Sequence, residues 1–343
     1  MRAIVFARPG EFSLAEVPDP VPGPRDVIVR VEAVGICGTD LHVLDGEFAP
    51  TVFPIVPGHE ASGVVVSVGD EVTNVVPGDP VSLDPSFYCG ECSFCMAGHA
   101  NLCENWDGAG AARTDGSTAE LVRSPAKNLY RLPPSVDLAM AALIEPLSCA
   151  IHGYDLLPRW IGAHYLIYGA GTMGLIMAQL APRAGAASVS IVDPNPQRLQ
   201  AAQDVGIELV GSTPDDVARP GGWDTVIDCS GAVEAIEDGL RRVRRGGRGG
   251  TFQQFGVAAG DARARFSPFR IYNDEVTMVG SMAVLHSYAR AVEMFAAGAL
   301  NAEPMISHAF TLADYGEAIE AFRAGVGRKI QIRPHATESA QLL

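Results

Sequence analysis

Between positions 37 and 60 the chain reads Cys37-Gly-Thr39-Asp40-Leu-His42, then a short loop, then Gly58-His59-Glu60. A thiol, an imidazole and a carboxylate are donors that borderline-soft zinc accepts. Three protein donors leave a fourth position open, which is how catalytic rather than structural zinc is held. Thr39 and His42 stand beside the first donor, where a hydroxyl and an imidazole can hand a proton outward. Taken singly, Cys37 reads better as a small buried hydrophobe and His59 as a hydrogen-bonded loop residue. Two further motifs reverse that balance.

The first is Cys89-x-x-Cys92-x-x-Cys95-x7-Cys103, four thiols in fifteen residues with glycines at 90 and 98 to let the loop close. The pattern suits a tetrahedral all-sulfur structural zinc. An iron–sulfur cluster also uses close-spaced sets of four cysteines and is the alternative. The second is Gly169-Ala-Gly171-Thr172-Met173-Gly174, which follows the strand candidate Tyr165-Leu-Ile-Tyr168 and opens a helix read from Leu175 to Ala184. Asp193 ends the next strand candidate, Ser188–Val192. In that setting the glycines admit a pyrophosphate to the helix N-terminus, and the acid takes the adenosine ribose hydroxyls. A 2′-phosphate would meet the charge of Asp193, so NAD is favoured over NADP, with Arg198 as the residue that argues the other way.

Glu145-Pro146 places a carboxylate that would ligate the metal, hold its water, or simply favour a helix start. Cys149 and Cys229 have no partner at ligand spacing and read as core. His99, His152, His164, His286, His308 and His335 read as surface or packing residues.

Positioning these groups takes two kinds of scaffold. Before about residue 150, short β-branched runs (Ala3–Phe6, Asp26–Val31, Ala61–Val68, Glu120–Arg123) are bounded by Pro and Gly clusters, which predicts a β-rich, barrel-like region with functional loops. Beyond it, strands at 165–168, 188–192, 224–228 and 249–252 alternate with helices at 175–184, 197–205 and 233–243, which predicts a doubly wound parallel sheet. A helix at 287–297 and a mixed tail, frayed from about His335, complete the chain. With 343 residues, two domains are expected.

A hydrophobic content of 48% against 19% charged residues describes a well-buried globular protein, and a net charge of −15 disfavours nucleic-acid binding, which needs a basic face. The charge-free stretch from His164 to Pro182 reads as strand, glycine turn and helix rather than a membrane span. Seven cysteines, five of them in the first third, and an N-terminus without a secretory pattern predict a reducing cytoplasm.

Together these residues resemble the medium-chain zinc-dependent alcohol dehydrogenases, in particular the sorbitol/polyol and threonine dehydrogenase branch. The resemblance runs through Gly35-Ile-Cys-Gly-Thr-Asp-Leu-His42, Pro57-Gly-His-Glu60, Gly78-Asp79, the cysteine lobe, Glu145-Pro-Leu147, the glycine turn, Asp228-Cys-Ser-Gly231 and Gly327-Arg-Lys-Ile330. It implies an α/β protein with a GroES-like β-rich catalytic domain at 1–150 and 287–343 and a Rossmann NAD-binding domain at 151–286. It implies a catalytic zinc on Cys37, His59 and Glu60, with Glu145 on the metal or its water, and a structural zinc on Cys89, Cys92, Cys95 and Cys103. Thr39 and His42 match the proton relay. Gly169, Gly171, Thr172, Met173, Gly174, Asp193 and Arg198 match cofactor contacts, as do the loops Phe255-Gly256-Val257 and Ser281-Met282-Ala283 at the nicotinamide half.

The implied activity is oxidation of a secondary alcohol by NAD in a homo-dimer or homo-tetramer, with no membrane or nucleic-acid partner. An amino-alcohol (threonine-type) dehydrogenase, a non-catalytic NAD-binding protein and a zinc hydrolase are the competing readings; the last has no use for the glycine turn. Two departures stand out. The sorbitol enzymes place a tyrosine after the relay histidine, where this chain has Val43, and an Arg-Tyr pair in the loop that here reads Ser281-Met-Ala-Val-Leu-His286. Both are substrate contacts in that group, so sorbitol itself is not the expected substrate.

Overall fold

The computed structural model describes residues 1–245 and 250–342, which fall into two compact units. The first comprises Met1–Ser148, Val284–Gly298 and Ile306–Leu343. The second comprises Cys149–Ala283 and Ala299–Met305.

The first unit is built on an eight-stranded sheet. Its organising strand is Asp26–Gly35, whose run of Val, Ile and Ala is buried for most of its length. Three strands pair with it antiparallel: Glu60–Val68, Leu121–Pro125 and Lys329–Ile332. Gly35, at its carboxyl end, sits between Glu60 on one neighbour and Gln331 on the other. Pro80–Leu83 and Leu129–Arg131 extend the sheet beyond Glu60–Val68. Val27, Val29, Val31, Val65, Val81, Ile330 and Ile332 form its core with Phe6 and Tyr315. Burying side chains of this size contributes about 1.5–3 kcal/mol each.

Asp84 follows the Pro80–Leu83 strand and accepts a hydrogen bond from the Ser86 N–H at 2.9 Å. Burial outweighs that bond and pushes its carboxyl from 3.8 up to about 6. The folded chain therefore holds this proton more tightly than the unfolded chain, and stability falls as pH rises from about 4 to about 6. Asp84→Asn should raise the unfolding free energy at pH 7.5 by up to about 3 kcal/mol and leave it nearly unchanged at pH 3.5. Urea unfolding at the two pH values checks this; an equal gain at both would remove burial as the cause.

The second unit carries a six-stranded, wholly parallel sheet in the order Leu209–Gly211, Ala186–Val192, Ala163–Tyr168, Thr225–Asp228, Thr251–Gln254, Thr277–Gly280. Numbered within the unit this is 3-2-1-4-5-6, the dinucleotide-binding order, with its switch point between Ala163–Tyr168 and Thr225–Asp228. The charge-free stretch forms the Ala163–Tyr168 strand and the Thr172–Leu180 helix. Pro182, which has no N–H to donate, converts the helix end to a 3-10 turn closed by Gly185 at φ 98°. No helix among the described residues is long and apolar enough to cross a membrane.

Two local expectations change. Gly249, read as the start of a strand, lies outside the described residues; the strand runs from Thr251 to Gln254. The tail is not frayed from His335: Ala340–Gln341 pairs antiparallel with Ile306–Phe310, and Ser339 Oγ donates to Asp314 Oδ2 at 2.5 Å. A two-residue strand at a sheet edge has no periodicity for sequence to show.

Candidate functional site

Beyond Gly35 the chain turns into Cys37, the residue that precedes the helix Gly38–Leu44. Asp40, 2% exposed, ties this turn together. Its Oδ2 accepts from the Cys37 N–H at 2.8 Å and its Oδ1 from the Gly58 N–H at 3.2 Å. Gly58 takes φ 94°, and a Cβ there would overlap Thr118 Oγ1, so only glycine makes the turn that delivers His59 and Glu60.

The Cys37 Sγ, a His59 ring nitrogen and a Glu60 carboxylate oxygen converge to within 4.8 Å of one another. His59 Nδ1 is buried, stands 3.5 Å from Asp40 Oδ1 and closes no hydrogen bond. Burial alone would push the imidazole down; Asp40 and Cys37 more than offset that and hold it well above 6.5. An orphaned ring nitrogen in an anionic pocket fits a dication, and the N/S/O donor set fits zinc.

Thr39 and His42 lie three apart on the Gly38–Leu44 helix and so share a face. Thr39 Oγ1 is 3.8 Å from Cys37 Sγ, and His42 Nδ1 is 2.8 Å from Glu47 Oε2. Glu145 is buried in the first turn of the helix Ile144–Asp155, outside the group of three converging donors.

The four lobe cysteines also converge, all free of disulfides. Their sulfurs are separated by 3.4 Å (Cys89–Cys103), 3.9 Å (Cys92–Cys103) and 4.0 Å (Cys89–Cys95). Four sulfurs about 2.3 Å from one tetrahedral ion lie about 3.8 Å apart, so the set fits zinc as it stands. Backbone N–H groups of Glu91 and Cys92 pull the Cys89 thiol down to about 6, whereas burial and the neighbouring thiols push Cys95 up to about 12. The first proton leaves readily, and a last thiolate among three others needs a cation to share the cluster.

In the second unit the glycine turn joins the Ala163–Tyr168 strand to the Thr172–Leu180 helix. A Cβ on Gly174 would overlap the Gly169 carbonyl, so the close helix–strand approach depends on it. Asp193, 3% exposed, accepts from the Ala170 N–H and the Asn195 N–H, each at 2.8 Å, with Arg198 Nη1 at 3.7 Å. The Phe255–Val257 and Ser281–Ala283 segments follow adjacent strands at the carboxyl edge, where dinucleotides bind.

The alcohol dehydrogenase GroES-like domain matches residues 23–134 and the zinc-binding dehydrogenase domain matches residues 172–297. D-arabinitol dehydrogenase 1 of Uromyces fabae is 32% identical over 98% of this chain and 97% of its own length. The chain belongs to the medium-chain zinc-dependent alcohol dehydrogenases. Sorbitol dehydrogenase of Halalkalibacterium halodurans, another member, is 31% identical over 97% of this chain and 99% of its own. A zinc-binding dehydrogenase from Sinorhizobium meliloti 1021, solved with NADP, superposes with a TM-score of 0.92 at 35% identity, covering 97% of this chain and 99% of that one.

Within this dehydrogenase, two departures gain a physical description. Val43 is fully buried in the core of the first unit, so that position packs rather than meeting solvent. Ala283 and His286 hold φ 50° in the loop that lacks the Arg-Tyr pair, a conformation rare for non-glycine residues and common where loops serve ligands.

Three residues of the two sites escaped the sequence reading of roles. Asp40 braces Cys37 and Gly58. Asp228 accepts from Ser230 N–H, Ser230 Oγ, Gly231 N–H and Gln254 Nε2, and so fixes the loop beside the glycine turn. Lys329 forms an ion pair with Glu60. All three lie inside quoted motifs, but only spatial neighbours give them work.

Proposed function

We propose that this dehydrogenase oxidises a secondary alcohol of the polyol, cyclitol or sugar class to its ketone, with NAD as acceptor, at the site made by Cys37, His59 and Glu60. The observation that carries the reading is the convergence of these three donors beside Thr39 and His42. Bound zinc supplies a Lewis acid that eases loss of the hydroxyl proton, and bound NAD supplies the hydride acceptor.

The chain's own residues do the rest. Thr39 Oγ1 accepts the hydroxyl proton as it gives up its own toward His42, which stands one turn along the same helix face, half-exposed, and releases a proton to solvent while Glu47 holds its ring. Asp40 keeps Cys37 and the His59 loop in register. Glu145 orients the water or substrate at the open position. Gly169 to Gly174 and Asp193 hold the pyrophosphate and ribose, and Arg198, Phe255–Val257 and Ser281–Ala283 complete the cofactor's surroundings. The polyol relatives support the substrate class; the loop from Ser281 to His286 argues against sorbitol as its best member.

A panel of polyols, cyclitols, sugars, L-threonine and simple secondary alcohols, followed by NADH absorbance, tests this. The expected result is turnover on a polyhydroxy compound; turnover on L-threonine alone would overturn the substrate class. Wild-type enzyme should prefer NAD to NADP at least ~10-fold, because Asp193 repels a 2′-phosphate. Asp193→Ala should lower kcat/KM for NAD by about 10- to 100-fold, the loss of a charged hydrogen-bond acceptor, and narrow the preference. Equal use of both cofactors by the wild type would remove that role from Asp193.

The edge strand Thr277–Gly280, whose Thr277, Met278 and Gly280 are exposed and whose outer backbone groups can pair with a second copy, supports a homo-oligomer. Light scattering on the purified chain reads its mass. Seven free thiols fit a reducing cytoplasm.

A further inference from the structure

Three adjacent strands of the first unit carry Lys329, Gly35 and Glu60, with Gly35 in the middle: it pairs with Glu60 on one side and, on the other, with Gln331, two residues from Lys329 and so on the same face of the sheet. The flanking strands are about 10 Å apart, two strand spacings, a gap that only a long side chain crosses. It crosses here because position 35 has no side chain. A Cβ on Gly35 would overlap Glu60 Oε2 and stand 2.5 Å from Lys329 Cε. Through this window the Lys329 ammonium reaches Glu60 Oε2 in an ion pair and donates to the Ile36 carbonyl at 2.9 Å. Lys329 is 3% exposed and Glu60 2%.

We propose that Lys329, reaching through the gap at Gly35, is the positioning residue that fixes the Glu60 carboxylate as a zinc ligand. A buried ion pair is a poor stabiliser, since apolar residues of equal volume serve as well or better, so its placement beside a metal ligand calls for another reason. Lys329 occupies one carboxylate oxygen and leaves Glu60 a single orientation toward Cys37 and His59. It also balances the charge of Glu60 where Cys37 and Asp40 add more negative potential.

This inference rests on the zinc reading of Cys37, His59 and Glu60, and the test separates the two. Wild type, Lys329→Met, Lys329→Gln, Lys329→Arg and Cys37→Ser are loaded with zinc, and release to a chromogenic chelator is followed together with zinc per chain. Wild type should hold two zinc ions and Cys37→Ser one. Lys329→Met should release one zinc at least ~10-fold faster than wild type, the tenfold corresponding to about 1.4 kcal/mol. The second zinc, on the four cysteines, should leave at the wild-type rate and so serves as an internal reference that a general loss of stability would also move. Lys329→Arg should restore slow release. If Lys329→Met does not accumulate, Lys329→Gln, which keeps a donor and most of the volume, should show the same selective loss. Wild-type release from the neutral variants, or equal acceleration at both sites, overturns the positioning role while leaving the zinc reading intact. Two zinc ions in Cys37→Ser would overturn both.

Discussion

Cys37→Ser is expected to drop from two zinc ions to one and to lose turnover by at least ~10³-fold, since Lewis-acid stabilisation by a metal is worth several kcal/mol. Serine nearly keeps the volume, but its hydroxyl stays protonated at neutral pH, and a neutral hard oxygen is a poor replacement for a thiolate. The local fold should survive, because Asp40 grips the backbone N–H of residue 37 rather than its side chain. NADH binding should also survive, because the glycine turn and Asp193 belong to the other unit. Zinc analysis, NADH fluorescence titration and thermal unfolding of the same preparation read the three effects. Full activity in this variant would remove Cys37 from the metal site; loss of NADH affinity together with folding would show that the substitution broke more than a ligand.

The reason such a specific variant could be chosen from sequence is that the chemistry is local in the chain. Cys37, His59 and Glu60 lie within 24 residues and the four lobe cysteines within fifteen, and ligand type and spacing are properties that a sequence displays. The parallel sheet was legible for a similar reason: β-branched runs at 165–168 and 188–192 flank a glycine turn and a helix, and each is a short-range signal. Sheet order, by contrast, is not in the pattern. The strand Thr277–Gly280 lies at an edge and half-exposed, so neither alternation nor a continuous apolar run marks it. Lys329 is the sharpest case. In sequence it is a lysine near a chain end, the most ordinary of surface residues, yet it donates to Ile36 across a separation of 293 residues. Only the pairing of its strand with Asp26–Gly35 turns it into a neighbour of the metal site. Asp40 was visible as part of the Cys37 motif, but its second partner, Gly58, comes from a loop 18 residues away.

Removing a ligand from the four-cysteine lobe should have the opposite signature to Cys37→Ser: Cys103→Ala should unfold the lobe and leave the active-site zinc in whatever fraction stays folded. The lobe has little else to hold it. Its regular structure amounts to the four-residue helix Ser93–Met96 and the 3-10 turn Ala100–Leu102. Phe94, Met96 and Leu102 are 41%, 76% and 47% exposed, so its apolar side chains do not form a core. Cys103, the buried member, accepts from the N–H groups of Cys89 and Asn105 and touches two other sulfurs, so its loss removes a ligand and the anchor for both backbone segments. Structural zinc contributes on the order of 10 kcal/mol to small zinc domains, and forfeiting even a third of that is a large part of the 5–15 kcal/mol available to a folded chain. The expected readings are one zinc lost per chain, a Tm lowered by several degrees and faster proteolysis within residues 88–106, with turnover per remaining zinc close to wild type. A stable Cys103→Ala protein with two zinc ions would refute the lobe assignment, and visible absorption from bound iron in the wild type would replace zinc there with a cluster.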